Sequence, residues 1–181
     1  MSQEELDGLI QRARNRDPAA VATLFERFYP KVLRYMRYRV PPAHAEDLAG
    51  EAFFRVLRGL SDQQGSFRAW LFTIARNLVL DHRKSAKVRL EQPLTASIAD
   101  DLKDDNDPAA IVEQGMDIEE ALRDLTEEQQ ELLDLKFHQG LSNAEIGAVT
   151  GRSPEAVRGL QFRALSALRD VLETGRNRHA R

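Results

Sequence analysis

Residues 142–172 read SNAEIGAVTGRSPEAVRGLQFRALSALRDVL, and this stretch decides the fold class. Ser142 is followed three residues later by Glu145, the reciprocal capping pattern that opens a helix. Ser153 and Pro154 open another, because proline's missing N–H costs nothing in a first helical turn. Only Thr150-Gly151-Arg152 lies between them, with Gly151 able to take a left-handed turn. Two helices joined so tightly, the second long and amphipathic, make a helix-turn-helix. Thr126 and Gln129 supply a further capping pattern upstream, so the spacing predicts helices over 126–138, 142–149 and 153–172.

On a wheel of about 100° per residue, Val157, Leu160, Ala164 and Leu168 fall on one side of the last helix. They should pack against Ile146, Val149 and Leu133. Glu155, Arg158, Gly159, Phe162, Arg163 and Ser166 spread over the other side, while Gln161 falls on the apolar side and is assigned no contact. Two arginines, a glutamate and a flat aromatic near a helix N-terminus suit a DNA major groove. The plain alternative is a three-helix bundle whose polar face is only solvated.

Upstream, residues 1–84 repeat apolar positions at helical spacing: Leu48, Ala52, Val56 and Leu60, then Leu71, Ile74, Ala75, Leu78 and Val79. Strand-like alternation is absent. Pro41-Pro42 breaks the chain, and residues 61–66 (SDQQGS) form a polar loop between two strong helical patterns. From about residue 85 to 111 the periodicity fades. The run 99–107, ADDLKDDND, holds five aspartates and one lysine, too little apolar surface to offset ordering. The expected class is all-α, with two small helical domains joined by an acidic linker: 1–85, linker 86–117, 118–175, and a tail over 176–181.

The chain has 181 residues, 42% hydrophobic and 30% charged, enough for two small domains with packed cores. Its net charge of −3 hides a pattern. Residues 1–90 carry 16 Lys and Arg against 10 Asp and Glu, residues 91–120 carry one against 10, and residues 121–181 balance at 9 and 9. A basic first part, an acidic middle and a neutral last part suggest pieces with different partners. The absence of cysteine excludes disulfides and thiolate chemistry and suits a reducing cytosol. No run is long and apolar enough to span a membrane, and the opening MSQEELDGLI is acidic, unlike a secretory leader. A cytoplasmic protein without membrane insertion is expected. His44, His82, His138 and His179 are scattered without ligand spacing, and no phosphate-binding glycine loop or nucleophile elbow is present. Catalysis, a cofactor, a metal and a small-molecule substrate are therefore not expected. A stand-alone transcriptional regulator, with a helical sensor joined to the helix-turn-helix, stays open on these observations.

Residues 45–60, AEDLAGEAFFRVLRGL, followed by residues 67–84, FRAWLFTIARNLVLDHRK, closely resemble region two of the extracytoplasmic-function sigma factors of bacterial RNA polymerase. Residues 122–172 resemble their region four, in the right order and separation. The resemblance covers roughly residues 6–85 and 118–172. It implies a stress-responsive protein whose partners are the RNA polymerase core enzyme, promoter DNA and an anti-sigma factor.

The resemblance also implies roles for residues. Helix 45–60 would dock on the coiled-coil clamp of the largest polymerase subunit, through charged contacts from Asp47, Glu51, Arg55 and Arg58 and an apolar anchor at Phe54. An exposed phenylalanine among mixed charges is useful only at an interface. Gly50 stands where the family usually has a polar residue, which puts one contact in doubt. The next helix and the loop before it would recognise the melted minus-ten element. Thr73, Arg76, Asn77, Arg83 and Lys84 would hold the strand, and Asp62, Gln63 and Gln64 would offer groups to read a flipped base. Phe67 and Trp70 are open as stacking platforms, though Trp70 reads better as core. In region four, Ser153, Glu155, Arg158, Gly159, Phe162 and Arg163 would meet the minus-35 duplex. Leu165 and Ser166 stand where the commonest pattern has basic residues, implying a weaker or different grip. The acidic segment, with Asp100, Asp101, Asp104, Asp105 and Asp107, would thread the polymerase cleft as a polyanion mimic or serve as a simple tether.

Overall fold

The computed structural model describes residues 2–91 and 121–179. Contacts divide the chain into two units, Met1–Ala99 and Asp100–Arg181. No strand occurs among the described residues.

The first unit holds α1 (Gln3–Arg14), α2 (Pro18–Arg37), α3 (Pro42–Gly59) and α4 (Phe67–Glu91). Local chemistry starts each of the first three. Ser2 and Glu5 form a reciprocal capping box at α1, and the Asp17 carboxylate accepts from the Ala19 and Ala20 amides at the head of α2. Arg12 reaches the same carboxylate at 2.8 Å, and its hydrogen bond holds Asp17 below the ordinary carboxylate range. Pro41 and Pro42 stop the run after α2 and start α3, with Pro42 inside the first turn. Helix α2 is the hub: α1, α3 and α4 all pack on it. Leu24, Phe28, Val32, Tyr35 and Met36 line its buried stripe at spacings of three and four.

Helix α3 presents Ala45, Ala49, Ala52 and Val56 to the core, small side chains that let two helices approach closely. Leu48, expected inward, is half-buried, and Ala49 and Phe53 take the deep positions instead. The inward face is thus turned slightly from the expected one, because alanines allow a closer approach than a leucine stripe would. Helix α4 also runs through Glu91, past the boundary expected at 85, so the first six residues assigned to the linker are helical. The rest of that acidic segment, residues 92–117 with the five aspartates of the 99–107 run, lies outside the described residues.

The second unit contains helical residues 121–123, α5 (Glu127–Leu133), a π-helical turn (Asp134–His138), α6 (Asn143–Thr150) and α7 (Pro154–His179). The single helix expected over 126–138 is two pieces. The Gln139 amide donates to the Asp134 carbonyl at 3.0 Å, the wider i to i−5 ring of a π-turn. The turn buries Leu135 and leaves Phe137 exposed. Capping boxes at Thr126–Gln129 and Ser142–Glu145 form as the sequence implies. Leu125, Leu132, Leu133, Leu135, Leu141, Ile146, Val149, Val157, Leu160 and Ala164 make the core, with α7 packed on both α5 and α6.

Candidate functional site

The expected site residues fall on three surfaces, two on the first unit and one on the second. The first is the outer face of α3. Phe54 is 56% exposed, and the Arg58 guanidinium lies 5.6 Å from its ring centroid. One turn away, Arg55 Nε meets Glu51 Oε1 at 2.7 Å, an i, i+4 pair. Asp47 lies exposed on the same face. All five expected residues therefore share one stripe. Sequence reasoning missed its apolar continuation. Leu57 and Phe25 are also exposed, and Phe25 stacks on Tyr29 at 4.6 Å and meets Phe53 edge-on at 5.2 Å. A groove of about 580 Å³ opens there, lined by Ala13, Pro18, Val21, Phe25, Phe53 and Leu57 among others. The only clue in the sequence was Phe25 one residue before a charged position, and that spacing alone does not separate surface from core.

The second surface is the 61–66 loop with the face of α4 that follows it. Here one expectation is corrected. Gln63 is only 6% exposed, and both ends of its carboxamide are hydrogen-bonded to the protein. Its Oε1 accepts from Arg14 Nη2 at 2.8 Å, and its Nε2 donates to the carbonyls of Gln64 at 2.9 Å and Gly65 at 2.8 Å. Arg14 also donates to the carbonyls of Leu60 and Gln63, so one guanidinium from α1 pins both ends of the turn. A buried carboxamide with these partners cannot read a base edge; Gln63 shapes the loop. Asp62 and Gln64 remain exposed.

Phe67 is buried, and Trp70 is half-buried over Gly59, where an added Cβ would sit 3.0 Å from the indole. Both rings are therefore committed to packing. On α4, the Thr73 hydroxyl donates to the Ala69 carbonyl at 2.8 Å, which leaves its oxygen as an acceptor only. Arg76 is half-buried, and Asn77, Arg83 and Lys84 are exposed along the helix. Arg83 Nη2 also donates to the Arg39 carbonyl at the end of α2, at 3.3 Å.

The third surface is the outer face of α7. Phe162 is 74% exposed, and Glu155, Arg158 and Arg163 stand exposed around it. The Arg163 guanidinium lies over Gly159, 3.6 Å from where a Cβ would be. Ser153 caps the helix by accepting from the Ala156 amide at 3.1 Å. Leu165 is exposed as well, an apolar point beside the arginines.

The turn that aims this face rests on two glycines. Gly151 has φ +72°, a conformation only glycine adopts without strain. Gly147, which sequence reasoning passed over, lies under the turn, where a Cβ would stand 2.6 Å from the Arg152 carbonyl oxygen. The Arg152 amide in turn donates to the Gly147 carbonyl at 3.0 Å, closing the corner.

These surfaces define a two-part helical protein in which a mixed-charge face around an exposed phenylalanine and a long helix with exposed arginines belong to separate units. Residues 24–89 match the family model described as Sigma-70 region 2, and residues 121–170 match Sigma-70, region 4. The ECF RNA polymerase sigma factor BldN of Streptomyces coelicolor is 40% identical, covering 91% of this chain and 64% of BldN, so the chain spans just under two thirds of that relative. The ECF RNA polymerase sigma factor ShbA of Streptomyces griseus is 33% identical, covering 93% of this chain and 95% of ShbA. Among solved structures, the sigma factor RpoE in complex with the anti-sigma factor NepR from Bartonella quintana shares the fold. Its TM-score is 0.68 at 19% identity, covering 84% of this chain and 96% of that one.

The chain belongs to the sigma-70 family of RNA polymerase sigma factors, in its extracytoplasmic-function group. Members of that family act in transcription initiation and are not enzymes in the catalytic sense. The stand-alone regulator is accordingly not favoured. No helix among the described residues is long and apolar enough to cross a membrane.

Proposed function

We propose that the chain binds the RNA polymerase core enzyme and directs it to specific promoters, with the work divided between its two units. The observation that carries this reading is Phe54: a large apolar side chain stands in solvent on α3 between an ion pair and an arginine. A monomer gains nothing from that arrangement, whereas a protein partner with a complementary charged, partly apolar face would bury it. Asp47, Glu51, Phe54, Arg55 and Arg58 dock the polymerase clamp. Asp62 and Gln64 on the loop, with Thr73, Arg76, Asn77, Arg83 and Lys84 on α4, take the melted minus-ten strand. Ser153, Glu155, Arg158, Gly159, Phe162 and Arg163 meet the minus-35 duplex.

The protein works in the cytoplasm and answers a stress signal. An anti-sigma factor holds it inactive by covering the α3 face, a reading supported by the anti-sigma partner solved with the structurally similar RpoE. The test is transcription in vitro with core polymerase on a library of genomic fragments, alongside a pull-down with core. Co-purification and start sites sharing two spaced elements support the proposal. A dimer that binds a palindromic operator and leaves core polymerase behind refutes it.

A further inference from the structure

Three cations that none of these assignments uses lie where α2 packs on the start of α4, which directly follows the 61–66 loop. Arg27 and Lys31 stand one turn apart on α2, and Arg68 is the second residue of α4. The contact that joins them is aromatic: Phe28 of α2 meets Phe67, the first residue after the loop, edge-on at 5.2 Å. Lys31 lies over the Phe28 ring, its Nζ 5.8 Å from the centroid. Among the described residues none of the three has a carboxylate within ion-pair distance.

Like charges gathered without counter-ions cost folding energy. At Lys31 partial burial first, and then the charges of Arg68 and Arg27, push the pKa below the ordinary lysine value. A surface that keeps such repulsion is suited to an anion that the free protein lacks. Two arginines offer forked donors and the lysine a point charge, a set that matches phosphate oxygens.

We propose that Arg27, Lys31 and Arg68 form a phosphate clamp for single-stranded DNA at the edge of the 61–66 loop. The reading of that loop as the minus-ten reader supplies the strand, so the inference rests on the proposed function. Extracting a base from the stack costs a few kcal/mol, and cations fixed next to the loop hold the backbone on which that base hangs. Because phosphates are alike in every sequence, the clamp positions the strand and leaves base choice to the exposed loop residues.

The test uses the full chain and a fluorescein-labelled oligothymidine of about 12 nucleotides, titrated by anisotropy across salt, so no promoter need be known. Lys31→Met keeps the aliphatic stem over Phe28 and removes the charge. It and Arg68→Ala should each weaken binding about threefold at low salt and flatten the salt slope by about 0.7, the value of one single-strand phosphate contact. Arg12→Ala, on α1 and paired with Asp17, should leave the slope unchanged. A merely structural role is separated by stability: removing a repelled charge should raise or hold the unfolding midpoint of Lys31→Met while affinity falls.

An unchanged slope in both variants overturns the clamp. So does an equal loss on a duplex of the same length, a loss that tracks a falling midpoint, or no measurable binding by the unaltered chain at low salt. If transcription with core fails while the oligothymidine result holds, the promoter reading is wrong and the clamp stands.

Discussion

Gly147→Ala and Gly50→Ala make the same chemical change inside helices of the two units, yet the structure gives them opposite signs. A buried or exposed glycine in a helix interior costs about 1 kcal/mol relative to alanine, so each substitution begins with a gain of that order. At Gly50, on the solvent side of α3, an added Cβ meets nothing within 4 Å, so the gain survives. At Gly147 the methyl would stand 2.6 Å from the Arg152 carbonyl oxygen and 3.8 Å from the Pro154 nitrogen. The obstacle is backbone, held by the Arg152 amide bond to the Gly147 carbonyl, by Gly151 in its left-handed conformation and by the Ser153 cap. It cannot swing aside as a side-chain tip could. Overpacking of this kind costs about 1 to 3 kcal/mol, and the fixed partner places it toward the upper end, for a net loss of about 1 to 2 kcal/mol.

Calorimetry resolves the two units if they unfold separately, and a change of 1 kcal/mol moves a domain of this size by about 4 to 8 °C. Gly50→Ala should raise the first unit's midpoint and Gly147→Ala should lower the second's. The corner between α6 and α7 would open with the clash, so duplex binding by Gly147→Ala should fall as well. A Gly147→Ala protein as stable as the original refutes the close-approach argument. A destabilised Gly50→Ala protein refutes the solvent-facing placement of α3.

Three further predictions concern the surfaces. Phe54→Ala combined with Arg55→Glu removes the anchor and turns the ion pair with Glu51 into two like charges; binding to core polymerase should be lost with helical circular dichroism unchanged, and retained affinity would remove the docking assignment. Arg158→Ala with Arg163→Ala should weaken binding to an upstream promoter duplex and reduce the salt slope by about two contacts, whereas equal affinity at moderate salt would count against α7 as the reader. Gln63→Ala removes one of the three acceptors of Arg14, leaves the Gln64 and Gly65 carbonyls without their donor, and should cost about 1 to 3 kcal/mol, against about 0.5 or less for exposed Gln64→Ala; a Gln63→Ala protein of full stability that fails to open promoters would restore Gln63 as a base reader.

What could be read from the chain alone follows the range of the interactions involved. Capping boxes at Thr126–Gln129 and Ser142–Glu145 close within one turn, so the residues that make them are neighbours in sequence and the helix starts were legible. The exposure of Phe54, Arg158 and Phe162 was legible for a related reason, since a helical wheel needs only a period and a known inner face. The π-turn at Asp134–His138 departs from that period, and nothing in DLKFH announces it.

Gln63 marks the limit most sharply. A polar loop of six residues gives no means of telling which side chain turns inward, because the decision is made by Arg14, forty-nine positions away. Lys31 poses the same problem in charge. Its sequence neighbours show a lysine on an amphipathic helix, while its electrostatics are set partly by Arg68, brought alongside by an aromatic contact between two other residues. Gly147 repeats it in sterics, since an oxygen five residues on becomes its neighbour only once the turn has formed. In each case the missing information is a tertiary neighbour that forbids or commits a side chain. This explains why the loop assignment erred toward generosity: a sequence reading credits every polar residue of a loop with the capacity to bind a ligand, and only packing withdraws that capacity from those already bound to the protein itself.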